Sequence, residues 1–326
     1  MAVWNLNERA RAVAEELIDR AADLNCVVNT VAGATVIDAG TASLKNPAGA
    51  TGSLAAGVLL ARACLADLAD VELEPGRVKD APLPQVVVNA HQPVAACMAS
   101  QYAGWQISVG DYFAMGSGPM RAAYGREELF NEPAMSHLRE KPGCVVGVLE
   151  TSKIPGENVI EYLCERTGVA PSNVTLLIAR TASLAGGVQV VARSVETALH
   201  KLHALRFDLS RVVGGFGAAP LPPVAKNDMN AIGRTNDAVL YGGAVTLFVR
   251  GDDDSLAAIA PRVPSNSSAD FGRPFGEIFK RYNHDFYKID PMLFSPAMIT
   301  FQNLDTGRCA TFGAIQEDVL MESFFN

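Results

Sequence analysis

The amino-acid sequence predicts a mixed α/β protein of the α+β class, and three observations lead there. Cys144–Glu150 and Asn173–Ala179 are short apolar runs separated by the amphipathic segment Gly156–Gly168, and a second helical stretch follows them. That β-α-β-α order favours parallel strands with helices packed on them. Near the C-terminus, "MITFQN" and "CATFGAIQ" read as an antiparallel pair. The length of 326 residues is more than one core usually serves. Two domains or tightly joined subdomains are therefore expected, with an approximate division into 1–180 and 181–326.

Element by element, residues 4–24 carry helical amphipathic spacing, with Asn5 or Asn7 available as the cap. The Ala/Leu-rich run Ser53–Asp70 reads as a buried helix, and Pro84–Ala90, rich in valine, reads as a strand. His91–Glu140 holds Gly, Pro, Tyr and Trp at high density and is expected to form a long irregular functional surface. Gly168 closes the Gly156–Gly168 helix as its C′ residue. A further helix is predicted after Thr181, a long turn at Gly214–Pro223, and a strand at Ala244–Gly251.

Composition narrows the partners. Only 19% of residues are charged against 49% hydrophobic, a deficit that suggests surface hidden in an oligomer. A net charge of −8 argues against a nucleic-acid partner and against an acidic membrane surface. The most apolar stretch, "SLAAGVLLARACLADLAD", is interrupted by Arg62 and Asp67 too early to span a bilayer. The six cysteines show no C-x-x-C pair and no metal-like spacing, so free buried thiols in a reducing compartment are expected. Since the first twenty residues also lack an apolar signal core, a cytoplasmic location is expected.

Three segments can carry chemistry. In "TASLAGGVQVVARSVETALHKLH" (residues 181–203), Gln189, Arg193, Glu196 and His200 fall at helical spacing on one stripe, and Val188, Val191, Val195, Leu199 and Leu202 on the opposite one. The polar stripe is either a solvated face or a ligand site. It starts after a Thr-Ala-Ser turn at the carboxyl end of a strand, where open α/β sheets place ligands. "AMGSGPMRAA" sets Ser117, Gly118 and Arg121 in a loop able to bind a phosphate or carboxylate, or simply to make a tight turn. "GRTNDAVLYGG" groups Arg234, Thr235, Asn236 and Asp237, which can hydrogen-bond the edge of a heterocycle; a helix cap by Asn236 or Asp237 is the competing reading. His200 and His203 stand three apart without an accompanying metal motif, so no metal site is expected.

Together "ACMASQYAGWQI", "GSGPMRAA", "RTASLAGGVQVVARSVE", "APLPPVAKNDMNAIGRTNDAVLYGG" and "FGEIFKRYNHDFYKIDP" make the chain resemble the methenyltetrahydromethanopterin cyclohydrolases over essentially its whole length. The resemblance implies two α/β-type subdomains with the substrate in a cleft at their junction, and a homo-oligomer, either trimer or dimer. It implies hydrolysis of the methenyl bridge of a tetrahydropterin one-carbon carrier to the N5-formyl form, with no metal or redox cofactor. The family's essential arginine and glutamate fall on Arg193 and Glu196. Substrate contacts are then expected from Tyr102, Ser117, Gly118, Arg121, Thr181, Ser183, Gln189, Arg234, Thr235, Asn236 and Asp237. Some members carry a lysine in the loop that here reads "SQYAGW"; Tyr102 is the nearest counterpart, placed to hydrogen-bond water or to stack on the pterin. Action on another pterin or folate carrier, or binding without catalysis, are the alternative readings.

Overall fold

The structure, a computed structural model, describes residues 4–326. In chain order it begins with α1 (Leu6–Asp19), β1 (Val27–Val31), β2 (Ala34–Asp38), α2 (Leu54–Cys64) and β3 (Ala69–Glu74). The short pair β4 (Arg77–Val78) and β5 (Ala81–Pro82) and the strand β6 (Gln85–Ala90) come next. A π-helix, Val94–Gln101, leads into β7 (Trp105–Val109), β8 (Tyr112–Ser117), α3 (Met120–Tyr124) and α4 (Pro133–Ser136). Then follow β9 (Val145–Glu150), α5 (Glu157–Thr167), β10 (Val174–Ala179), α6 (Leu184–Val191) and α7 (Ser194–Ala204). The remainder is β11 (Val212–Pro220), α8 (Asp228–Leu240), β12 (Ala244–Val249), α9 (Asp253–Ile259), α10 (Phe275–Arg281), β13 (Met298–Asn303), β14 (Cys309–Gly313) and α11 (Glu317–Phe325).

The chain forms two compact units, each with its own sheet. One is the segment ending at Ala69 together with Ala95–Gln189; the other is Asp70–Val94 together with Val190–Asn326. This differs from a single division at 180. The excursion 70–94 joins the later residues because β6 pairs antiparallel with β11 along its length, from Gln85 opposite Pro220 to Ala90 opposite Gly215.

In the first unit the strand order is β1-β2-β10-β9-β8-β7. The centre is parallel, β10 lying between β2 and β9, which is the expected β-α-β pairing. Alternation of side chains sorts the core into two layers. Val146, Val148, Leu177, Ala179 and Ile37 pack with α1 and α2. Val145, Leu149, Leu176, Ile178 and Val36 pack with α5. Helices thus cover both faces, as a buried parallel centre requires.

Two details of this unit depart from the sequence reading. The first helix ends at Asp19, and neither candidate asparagine caps it with its side chain: Asn5 is left-handed at φ 50° without a cap bond. The Glu140 carboxylate accepts from the Leu6 and Asn7 N–H groups instead, a distant capping that local spacing does not reveal. The buried Asn7 side chain ties the helix to the sheet, donating to the Pro119 carbonyl and accepting from Val146 N–H, both at 3.0 Å. Secondly, the region His91–Glu140 is largely ordered. Trp105 and Ile107 point inward while Gln106 and Ser108 point out, and the β7–β8 hairpin turns at Gly110, φ +57°.

In the second unit the order is β14-β13-β12-β11-β6-β3. The predicted C-terminal pair is present as β13 and β14, antiparallel with Met298 opposite Gly313. The stretch read as a long turn, Gly214–Pro223, is mostly the central strand β11. Its glycines serve contact rather than turning. A Cβ on Gly217 would stand 2.6 Å from Ser194 Oγ, and one on Gly215 would stand 2.7 Å from a Val195 methyl. Removing those Cβ atoms lets the start of α7 lie directly on the sheet.

Candidate functional site

The helix expected after Thr181 is interrupted. α6 stops at Val191, and Arg193 takes the N-cap of α7 with φ −87° and ψ 9°. Its N–H donates to the Val190 carbonyl at 3.2 Å, and its own carbonyl accepts from Thr197 N–H at 2.9 Å. Glu196 is therefore the third residue of α7, inside the first turn, where unpaired N–H groups and the helix dipole favour an anion. The polar stripe is not a solvated face. Gln189 is 3% exposed, Arg193 9% and Glu196 4%.

Several contacts within the second unit fix α7. Besides the glycine-lined seat on β11, the buried Lys201 donates to Ser267 Oγ at 2.9 Å and to the Met292 carbonyl. Burial pushes the Lys201 ammonium down to about 8, partly opposed by the Asp290 charge. Burial, reinforced by the His203 and Lys201 charges, also pushes His200 down to about 4, so its imidazole is neutral near pH 7.

The first-unit candidates divide into two groups. At the carboxyl end of the parallel strands, the Thr181 hydroxyl donates to Glu150 Oε1. Ser183 caps α6: its Oγ accepts from Gly186 N–H at 3.0 Å and donates to the Arg180 carbonyl at 2.7 Å. Gln189 Nε2 points at Cys64 Sγ, 3.8 Å away.

The "GSGPMR" residues are internal to the unit. Ser117 Oγ donates to the Val148 carbonyl at 3.2 Å, and Gly118, at φ +87°, donates its N–H to the Ser100 carbonyl at 2.9 Å. Arg121 is fully buried. Its Nε and Nη2 donate to the two oxygens of Glu127, and its Nη1 donates to the carbonyls of Met98 and Ser100. Those bonds occupy four of the guanidinium's five N–H groups. Tyr102 lies under the same guanidinium, with its ring centre 5.0 Å from Cζ. Through these bonds Arg121 clamps the carboxyl end of the π-helix.

The "RTND" residues are likewise internal to the second unit, and they sit mid-helix rather than at a cap. Asn227 caps α8, its side chain accepting from Asn230 N–H at 2.9 Å. Thr235 Oγ1 and Asn236 Nδ2 donate back to the carbonyls of Ala231 and Ile232, at 2.9 and 2.8 Å. Arg234 donates to the carbonyls of Ser323 and Pro223. Asp237, fully buried, accepts from Phe275 N–H at 2.8 Å and from Ser323 Oγ at 2.6 Å. Burial raises its carboxyl to about 8, with those two hydrogen bonds opposing. Arg234 and Asp237 thereby join α8 to α11, and Asp237 also joins it to α10, while Thr235 and Asn236 bond within α8.

Among the described residues no group of three His, Cys, Asp or Glu side chains is arranged to hold a metal ion. The cysteines are free; Cys26, Cys64, Cys97 and Cys144 are buried, while Cys309 on β14 is exposed. Glu150 is the residue that the sequence reading passed over. Its signal was a charge closing the apolar run "CVVGVLE" at a strand's carboxyl end.

Comparison with known proteins matches the sequence to one family. The family model described as Cyclohydrolase (MCH) matches residues 5–324. A methenyltetrahydromethanopterin cyclohydrolase of Rhodopirellula baltica is 48% identical over 98% of this chain and 95% of its own length. Proteins of the same name from Methylobacillus flagellatus and Methanosarcina mazei are 43% and 41% identical, covering 99% and 98% of this chain and 96% and 98% of their own lengths. With the match running through both units and both halves of the Arg193–Glu196 segment, the chain belongs to the MCH cyclohydrolase family.

Proposed function

We propose that the protein hydrolyses the methenyl bridge of a tetrahydromethanopterin-type one-carbon carrier to the N5-formyl form, reversibly. The observation that carries this reading is the near-full-length likeness to relatives of that name. The enclosed Arg193 and Glu196 at the start of α7 suit the chemistry it requires.

The bridge carbon lies in a delocalised amidinium cation and is already electrophilic. What water lacks is position and a proton acceptor. Glu196 takes a proton as water adds, giving a tetrahedral carbon that bears the new hydroxyl and both ring nitrogens. Collapse breaks one carbon–nitrogen bond and leaves the formyl group on N5. The proton held by Glu196, or by a water it orients, goes to the departing nitrogen, and the hydroxyl proton is released to solvent. Arg193 orients the carboxylate. No step calls for a metal or redox cofactor. The protein works in the cytoplasm as a homo-oligomer, trimer or dimer, whose interfaces cover part of a surface that is only sparsely charged.

Ring opening removes the amidinium chromophore, so absorbance follows the reaction directly. Methenyl-tetrahydromethanopterin should be consumed with EDTA present and no redox cofactor added, and methenyl-tetrahydrofolate far more slowly. Turnover of the folate compound alone, or a rate that returns only when a metal is restored, would overturn the reading.

A further inference from the structure

Glu150 ends β9 directly opposite Ala179 of the parallel strand β10. With a period of two, Val146 and Val148 on β9 and Leu177 and Ala179 on β10 all face the α1/α2 layer. Glu150 and Thr181 are the next positions on that face, just beyond the apolar layer, and the Thr181 hydroxyl fixes Oε1. Thr181 is buried and Glu150 half-buried. Among the described residues Thr181 is the hydrogen-bond partner of this carboxylate, and no cationic side chain is paired with it.

The place is as informative as the pairing. α6, which follows β10, sets Ala185 into the α1/α2 layer on one face of the sheet, whereas α5, which follows the neighbouring strand β9, packs on the other. Where helices leave neighbouring parallel strands to opposite sides, a crevice opens at the strands' carboxyl ends, and α/β sheets bind ligands there. An ionised carboxylate only accepts hydrogen bonds. Thr181 supplies one donor, which leaves one lone pair on Oε1 and both on Oε2 available to a ligand. The matching ligand is a flat ring with two adjacent N–H donors on one edge.

We propose that Glu150, oriented by Thr181, accepts the ring N–H and the exocyclic amino group of the substrate's 2-amino-4-oxopyrimidine edge, making it the residue that reads the pterin head. This rests on the pterin carrier proposed above. It reassigns Thr181 from substrate ligand to positioning residue. The head is common to methanopterin and folate carriers, so Glu150 selects pterins from other heterocycles and leaves the choice of tail to other residues.

The test is Glu150→Gln, in which an amide donor replaces one acceptor. KM for the methenyl substrate should rise roughly 10- to 100-fold, the range for losing a charge-assisted acceptor, while kcat changes by less than about threefold. A binding assay adds a readout that a purely structural role would not move. Wild type should prefer 6-methylpterin to 6-methyllumazine, whose oxo group replaces the amino donor, by roughly tenfold or more, and the variant should lose that preference. Glu150→Asp should recover part of the preference. An unchanged KM, a fall confined to kcat, or an undiminished pterin preference would each overturn the proposal. If Glu150→Gln does not fold, Thr181→Val takes its place, with a KM rise of roughly 3- to 10-fold expected and no rise refuting the idea. Failure of the cyclohydrolase reading would look different, since wild type itself would then leave the methenyl substrate unchanged.

Discussion

At the scale of single residues, two carboxylates with opposite tasks invite direct tests. Glu196→Gln should lower kcat by about 10²-fold or more with a smaller change in KM, as expected for a positioned proton acceptor. Near-normal turnover of that variant, followed by absorbance, would remove Glu196 from the mechanism. Asp237 has a structural task, and pH exposes it. Its carboxyl is raised to about 8 in the folded chain, whereas an unfolded aspartate titrates near 3.9. Between those values the folded state holds a proton that the unfolded state has released, so this group's contribution falls as pH rises from about 4 to about 8. Asp237→Asn should therefore gain thermal stability relative to wild type as pH climbs from 5 to 9; parallel curves would show that the carboxyl is not protonated. The same residue shows what the sequence could and could not say. Spacing put Glu196 one turn from Arg193, and that relation survives the break in the helix. It could not tell that Arg121 and Asp237 look inward, because their partners Glu127, Phe275 and Ser323 come together only in the folded chain.

At the scale of elements, one buried side chain helps to hold the carboxyl end of the π-helix Val94–Gln101. Arg121 binds the carbonyls of Met98 and Ser100 and pairs with the carboxylate of Glu127, which is only 14% exposed. Arg121→Met would leave that carboxylate unpaired and both carbonyls without this donor. A loss of about 3–5 kcal/mol is expected in urea unfolding, the range for breaking a buried pair by removing one partner. A change below about 1 kcal/mol would mean that other contacts hold the segment. Which elements were legible follows from their local pattern. β9, α5 and β10 announce themselves through apolar runs and the Gly168 stop, and the structure has them with Gly168 at φ +75°. β11 was hidden because its glycines, which admit α7, look like turn residues in sequence. The β7–β8 alternation was present in "WQISVGDYFAM" but lay within glycine- and aromatic-rich surroundings that suggested irregular backbone.

At the scale of the whole molecule, neither unit is a continuous stretch of chain. A fragment ending at Gln189 would contain every strand of the first sheet but would also carry 70–94, whose β6 strand has its partner β11 beyond the cut. That apolar strand would be left with an open edge, so the fragment should aggregate on expression, whereas adding Val190–Asn326 in trans should improve its solubility. A fragment that remains monodisperse by light scattering would contradict this. Nothing local in the sequence marks the excursion 70–94 as belonging with the later residues. Strand pairing between residues more than a hundred positions apart leaves no local mark. The same interleaving sets a timetable for synthesis. Ala90 leaves the ribosome well before Gly215, its partner across the sheet. At about 5–20 residues per second the valines of β6 wait on the order of 6–25 s for that partner. Through this interval the nascent chain needs a chaperone or a transient cover of its own, and slowing translation after residue 94 should lower the yield of native protein.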